Sequence, residues 1–116
     1  MIIPDYSRFC TVHRVIDGDT MEALVDLGFR RFSRERVRIA YMDAPETHGE
    51  TRAAGDAATE FAKQWLAVAQ DAGPLILVSH KADSFGRWLG TIYSQGTGES
   101  LADAMMAAGH AIPYRP

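Results

Sequence analysis

Residues 29–42 read Phe-Arg-Arg-Phe-Ser-Arg-Glu-Arg-Val-Arg-Ile-Ala-Tyr-Met, and this stretch decides the fold class. Side chains with a period of two lie on opposite faces of a β-strand. Here one face is cationic and the other apolar: Arg34, Arg36 and Arg38 against Val37, Ile39 and Tyr41. Such a strand is typical of an antiparallel sheet that covers a core on one side. We therefore predict a strand from Phe29 to about Met42, ended by Pro45.

The sequence on either side predicts four more strands and two helices. β-branched residues and turn residues mark the strands. Apolar residues at spacings of three and four mark the first helix, namely Ala54, Ala57, Ala58, Phe61, Trp65 and Val68. Ser100 with Asp103 opens the second helix and Gly109 ends it. The predicted strands cover residues 9–16, 20–26, 29–42, 75–78 and 88–94, and the predicted helices cover residues 52–70 and 101–108.

This order, β-β-β-α-β-β-α, predicts a mainly β fold: a five-stranded barrel of the OB type with two helices. A length of 116 residues predicts a single domain, residues 1–116. Cys10 has no partner for an internal disulfide, which favours a small buried side chain in a reducing compartment. The sequence shows no signal peptide and no apolar run of membrane-spanning length. We therefore expect a cytoplasmic protein with no membrane partner; the alternative is a longer precursor that is secreted.

The charge distribution bears on the partner. The formal net charge is −3, which counts against a nucleic-acid binder. Residues 30–38, however, hold five arginines and one glutamate, a local charge of +4. A basic patch on an acidic protein suits a polyanion that is bound briefly.

Three separated segments carry the side chains of a candidate phosphodiester-cleaving site. They are Asp-Gly-Asp-Thr at residues 17–20, the run from Arg38 to Glu46, and Asp-Ser-Phe-Gly-Arg at residues 83–87. Asp19 and Asp43 lie at strand ends, so the two carboxylates can meet at one rim of the barrel. Oxygen ligands without His or Cys select Ca²⁺ or Mg²⁺. The simpler alternative for residues 17–19 is an ordinary turn.

The remaining polar residues of these segments have two interpretations each. Glu46 follows a proline and is a candidate general base, or it is a solvated loop residue, with His48 as a rival base. Arg38 and Arg87 are candidates to bind a phosphate and stabilise the charge that builds on it, or they are surface arginines.

Four aromatic residues offer stacking faces for bases, namely Phe85, Trp88, Tyr93 and Tyr114. We expect Trp88 and Tyr93 to point into the barrel. Phe85, beside Gly86 and Arg87, is the best stacking candidate.

Together these segments resemble the staphylococcal nuclease (thermonuclease) family over nearly the whole chain. The resemblance implies an OB-fold barrel and Ca²⁺-dependent hydrolysis of DNA and RNA that leaves 3′-phosphate ends. It implies that Asp19 and Asp43 hold calcium with the carbonyl of Ala44, and that Glu46 is the general base. Arg38 and Arg87 would bind the phosphate. Substrate contacts are expected at Phe85 and Tyr114.

The chain also departs from the best-known member of that family. Ser84-Phe85 stands where that member has Lys-Tyr, and the second hairpin is longer and rich in arginine. That member continues into a third helix beyond the point where this sequence ends. We therefore expect the family's third C-terminal helix to be absent, and the surface it would cover to be polar or to form a homo-oligomer. The alternative function is a non-catalytic module of the same fold that binds nucleic acid or protein.

Overall fold

The computed structural model describes residues 6–82 and 87–114. In chain order its elements are β1 (Ser7–Asp17), β2 (Thr20–Gly28), β3 (Arg31–Ile39), β4 (Met42–Asp43), α1 (Arg52–Asp71), β5 (Leu75–Ala82), β6 (Trp88–Tyr93), α2 (Leu101–Ala107) and β7 (Ile112–Pro113). A 3-10 turn, Gly49–Thr51, leads into α1. No helix within the described ranges is both long and apolar enough to cross a membrane.

Five strands close into a barrel in the order β1-β2-β3-β6-β5, with β5 pairing back onto β1. β3 and β6 run parallel, and the other barrel pairs are antiparallel. Each of these five strands has two neighbours, but β3 pairs with β6 only over residues 37–39, so residues 31–36 pair with β2 alone and project from the barrel as a hairpin. The arrangement confirms the mainly β fold predicted from the sequence, an OB-type barrel with two helices.

The barrel interior is filled by the inward residues of each strand and capped by the two helices. Met21, Val37 and Ile39 are fully buried inside it. Leu66 of α1 and Met105 of α2 complete the same cluster from outside the strands. Each such side chain contributes about 1.5–3 kcal/mol when it is removed from water. Cys10 is buried as well, in agreement with its predicted role.

α1 packs on the barrel through smaller residues than predicted. Its buried positions are Gly55, Ala58, Ala62, Leu66 and Ala69. The predicted stripe was wrong at Ala54, Ala57 and Val68, which are exposed. Close approach decides which face is buried, because a Cβ on Gly55 would overlap the Glu46 carbonyl oxygen. The absence of a side chain at Gly55 thus lets the Glu46 loop lie directly against the helix.

The third strand is shorter than predicted, because β3 ends at Ile39. Tyr41 adopts a left-handed backbone with φ of 66°, which turns the chain before β4. The side chain of Tyr41 is consequently 56% exposed rather than on the apolar face of β3. β4 then pairs with β7, so the end of the described chain lies beside Asp43.

α2 begins and ends close to the predicted residues. The Ser100 hydroxyl accepts from the backbone N–H of Asp103 at 3.0 Å, and Gly109 has a φ of 79°. Both are ordinary helix-ending devices. α1 and α2 are the two α-helices of residues 6–82 and 87–114.

Candidate active site

The turn between β1 and β2 fixes the position of Asp19. The Oδ1 of Asp17 accepts from the backbone N–H of Asp19 at 3.1 Å, and the Thr20 hydroxyl donates to Asp19 Oδ1 at 3.2 Å. Gly18 lies under this turn, where a Cβ would approach the Cβ of Ala44 to 2.9 Å. The glycine therefore allows the turn to lie directly against the segment that follows Asp43.

Asp19 is also bound to the two segments that carry Arg38 and Asp43. The backbone N–H of Ala44 donates to Asp19 Oδ2 at 3.1 Å. The backbone N–H of Ile39 donates to the Asp19 carbonyl at 2.8 Å. These bonds hold a largely buried carboxylate at the rim where β2, β3 and β4 meet. The predicted convergence of these segments on one rim is what the structure shows.

The guanidinium of Arg38 lies between the two predicted metal-binding acids. Its Nη2 is 3.2 Å from Asp43 Oδ1 and 3.6 Å from Asp19 Oδ2. Its Nη1 donates to the carbonyls of Ile39 at 2.6 Å and Met42 at 3.0 Å. Only 15% of the Arg38 side chain is exposed, so its orientation is set by these four contacts. Both terminal nitrogens are thus engaged by acceptors of the protein, and a phosphate would bind Arg38 through Nε or in exchange for one of these contacts.

The donor set of this rim fits a hard cation. Asp43 Oδ1 and Asp19 Oδ2 lie 3.2 and 3.6 Å from the same guanidinium nitrogen. The two carboxylate oxygens are therefore no farther apart than these two distances added together. Carboxylate and carbonyl oxygens are the ligands that Ca²⁺ prefers. Among the described residues, no group of three or more His, Cys, Asp or Glu side chains forms a metal-holding cluster. A cation held here would therefore take much of its coordination from water or substrate.

Asp17 is a third carboxylate beside this rim, and the sequence analysis missed it by treating the residue as part of a turn. Burial first, and then a hydrogen bond with Asp19 and the charge of Asp19, raise the pKa of Asp17 from 3.8 to about 6. The signal was present in the Asp-Gly-Asp spacing, since a tight turn brings the two carboxylates together. Asp17 therefore adds negative charge at neutral pH where a cation would be held.

Glu46 has a fixed backbone and an exposed side chain. The Thr51 hydroxyl donates to the Glu46 carbonyl at 2.9 Å, and Gly55 of α1 lies directly against that carbonyl. The carboxylate is 73% exposed and lies 3.1 Å from His48 Nε2. It pairs with His48 and not with Arg38. The structure therefore places Glu46 on the neighbouring loop, facing solvent, and it brings the rival base into contact with the favoured one.

The remaining predicted site residues are Arg87, Tyr114 and Phe85. Arg87 is partly buried and directly precedes Trp88, which pairs with Val37, so its backbone runs beside the strand that carries Arg38. Tyr114 is 47% exposed, and its backbone N–H donates to the Tyr41 carbonyl at 3.0 Å, close to Asp43. Phe85 lies outside the described residues.

Tyr41 is an aromatic residue at this rim that sequence reasoning assigned to the core. Its ring lies in edge contact with His80, with centroids 5.3 Å apart. Its left-handed φ carries no simple sequence signal, because non-glycine residues adopt it rarely.

A family model described as staphylococcal nuclease homologue matches residues 36–116. The matched range includes Arg38, Asp43, Glu46 and Arg87, and Asp19 lies before it. No curated protein matches the chain.

Proposed function

Because the chain belongs to the staphylococcal nuclease homologue family, we propose that it is a calcium-dependent nuclease. Its reaction is the hydrolysis of phosphodiester bonds in DNA, RNA or both, leaving 3′-phosphate ends. The observation that carries the proposal is the position of the Arg38 guanidinium, held by two carbonyls between Asp19 and Asp43. It unites an anion-binding group and a cation-binding pair at one rim.

In this proposal Asp19 and Asp43 hold Ca²⁺ together with the Ala44 carbonyl. When bound, the ion neutralises charge on the phosphate and polarises its oxygens. The Ala44 N–H bond to Asp19 keeps the two acid-bearing segments together. Asp43 is half exposed, so substrate and water can reach the same side of the rim.

Glu46 accepts the proton of the attacking water, either alone or with His48 as a neighbour that sets its orientation. The water oxygen forms a bond to phosphorus, and the bond from phosphorus to the 5′ oxygen breaks. The departing 5′ oxygen takes up a proton and leaves as a hydroxyl. Arg38 and Arg87 donate to the phosphate oxygens, whose negative charge increases in the transition state.

The alternative is a module of the same fold that binds nucleic acid without cleaving it. The acid composition of the rim favours hydrolysis, because Asp17, Asp19 and Asp43 would repel a phosphate unless a cation were present. A pure binding surface gains nothing from carboxylates at that point.

The discriminating experiment compares wild type with Glu46→Gln on plasmid DNA at millimolar Ca²⁺. We expect wild type to degrade the plasmid, EDTA to stop it, and Glu46→Gln to lose on the order of 10²–10⁴ in rate. Glu50→Gln, an exposed glutamate in the 3-10 turn next to the same loop, is the matched control and should retain activity. Fragments with 5′-hydroxyl ends should accept label from a polynucleotide kinase without prior phosphatase treatment.

Two results would sink the proposal. One is wild-type protein that leaves DNA and RNA intact at millimolar Ca²⁺. The other is a Glu46→Gln protein as active as Glu50→Gln. Self-association stays a prediction from the sequence, and a sedimentation experiment that finds only monomer at all concentrations would exclude it.

A further inference from the structure

The hairpin formed by β2 and β3 projects exposed arginine and phenylalanine side chains that the proposed site does not use. We call five of its exposed residues the hairpin track: Phe29, Arg30, Phe32, Arg34 and Arg36. Phe32, Arg34 and Arg36 alternate with Ser33, Glu35 and Val37, which are less exposed. The track residues of β3 therefore lie on the outer face of the strand, the same face as Arg38, and Phe29 and Arg30 lie at the turn beyond them.

The track begins at the proposed site. Arg38 lies two residues beyond Arg36 on one strand, and the cross-strand partners of Arg38, Arg36 and Arg34 are Thr20, Glu22 and Leu24. At roughly 3.3 Å per residue, the distance from Arg38 to Phe32 is about 20 Å. An extended chain bound at Arg38 would meet the other track residues in turn.

Charge complementarity points to a polyanion. Among the described residues, no carboxylate forms an ion pair with Arg30, Arg31 or Arg34. Arg36 is different, since it donates to Glu22 at 3.2 Å. The positive charge available to a partner is therefore concentrated at Arg34 and at the tip of the hairpin, in a chain whose net charge is −3.

The aromatic residues narrow the class of polyanion. Phe29 is 99% exposed and Phe32 is 57% exposed. Unpaired bases stack on exposed aromatic rings that lie beside arginines. Every base has a flat face, so this stacking does not depend on the base sequence. A duplex keeps its bases stacked on each other, so the flat faces of the bases are not available to a protein ring.

The tip of the hairpin retains bulky side chains at a conformational cost. Phe29 and Arg30 form a two-residue turn between Gly28 and Arg31, with φ of 55° and 61°. Such turns favour Asn-Gly, since a left-handed backbone costs roughly 1–2 kcal/mol for other residues. The sequence places a phenylalanine and an arginine there instead, and both side chains point to solvent rather than to the core.

We propose that the hairpin track binds single-stranded nucleic acid that extends away from the cleavage site, with Arg34 on a phosphate and Phe32 stacked on a base. The inference rests on the proposed function for the identity of the strand. A track of this length covers about four nucleotides, the low end of site sizes on OB folds.

The test measures binding and not cleavage, so its failure is distinct from failure of the proposed function. Fluorescence anisotropy is recorded in EDTA with a labelled twelve-nucleotide oligothymidine and with a twelve-base-pair duplex. We expect Phe32→Ala to weaken oligothymidine binding about tenfold, and Phe32→Trp to restore it. We expect Arg34→Ala to lower the slope of log K against log salt by about 0.7, the value for one phosphate contact on a single strand. Circular dichroism spectra establish that each variant is folded.

Lys63→Ala is the matched control for charge, because it removes one positive charge from the exposed face of α1. It should leave the salt slope unchanged. Equal slopes for Arg34→Ala and Lys63→Ala, or unchanged affinity in Phe32→Ala, would overturn the proposal. So would binding to phosphatidylserine vesicles with no binding to the oligonucleotide, which would identify the hairpin as a membrane contact. Binding that depends on Phe32 and Arg34 in a protein that cleaves nothing would support the track and reject the nuclease.

Discussion

Replacing Arg38 by methionine removes the guanidinium between Asp19 and Asp43 and keeps an unbranched side chain that fills the space of the arginine stem. The substitution deletes two contacts with carbonyls and two with carboxylates. Methionine still covers the barrel rim, because its stem is apolar and flexible. The change therefore reports on the charge at this position more than on packing.

The loss of stability follows from the burial of the partners. Only 12% of the Asp19 side chain is exposed, against 51% for Asp43. Removing one member of a buried ion pair typically costs about 3–5 kcal/mol. The half-exposed Asp43 contributes little, because solvent screens it. We therefore expect the free energy of unfolding in EDTA to fall by about 2–4 kcal/mol in Arg38→Met.

The stabilisation by Ca²⁺ should also differ between Arg38→Met and wild type. Without the guanidinium, a cation at Asp19 and Asp43 no longer meets a positive charge at the same oxygens. We expect Ca²⁺ to stabilise Arg38→Met more than wild type, by about 1.4 kcal/mol for each tenfold gain in affinity at excess Ca²⁺. Nuclease activity should nevertheless fall on the order of 10²–10³, because the phosphate loses a donor.

The assay is urea denaturation in EDTA and in millimolar Ca²⁺, with Arg36→Met as the control. Arg36 pairs with Glu22 on the exposed face of the same strand, so its loss should be close to neutral. Our reasoning is refuted when Arg38→Met is as stable as Arg36→Met in EDTA. It is refuted equally when Ca²⁺ stabilises Arg38→Met no more than wild type.

Three further predictions follow from local geometry. Gly18→Ala should lower the free energy of unfolding by about 1–3 kcal/mol and weaken Ca²⁺ binding, since the new Cβ would push the turn away from Ala44; calorimetry with and without Ca²⁺ measures both effects. In EDTA, Asp17→Asn should raise stability by about 1 kcal/mol at pH 8 and leave it unchanged at pH 4. The folded-state pKa of about 6 lies above the unfolded value of 3.8, so wild type loses stability as pH rises through that window; the half-exposed position reduces the effect, and equal gains at both pH values would contradict this. Burial raises the pKa of Cys10 to about 12, so at pH 9 iodoacetamide should label the unfolded protein at least about 100-fold faster than the native one.

The sequence predicted the parts of the fold that depend on a repeating pattern. Val37 and Ile39 alternate with arginines, and both are fully buried. The same pattern predicted that Asp19 and Asp43 would meet, because strand ends that are adjacent in a barrel share a rim. The chain turns at Tyr41 and at Phe29-Arg30 were not predictable, since a left-handed backbone at bulky residues contradicts local preference and is imposed by the surrounding structure.

The contacts between elements could not be predicted from the sequence pattern either. The periodicity of α1 predicted the helix but misplaced part of its buried face, because Gly55 and Ala62 are buried although neither is a large apolar residue. The role of Asp17 depends on its distance from Asp19, and the pairing of Glu46 with His48 depends on a loop conformation. Each of these features depends on how closely two segments lie in the folded chain, and residue type alone does not determine that distance.

β3 connects the three properties argued for this protein. Its inward residues fill the barrel. Arg38 at its end lies between the acids of the rim, and Arg34 belongs to the hairpin track. β3 pairs with β2 from Arg31 to Arg38 and with β6 over residues 37–39, so its register in the sheet, and not a loop, fixes the spacing between Arg38 and Arg34. A polyanion bound along β3 would therefore enter the rim in one register. This fixed spacing gives an acidic protein a way to hold a nucleic acid with few positive charges, since correctly spaced charges need no conformational change to act.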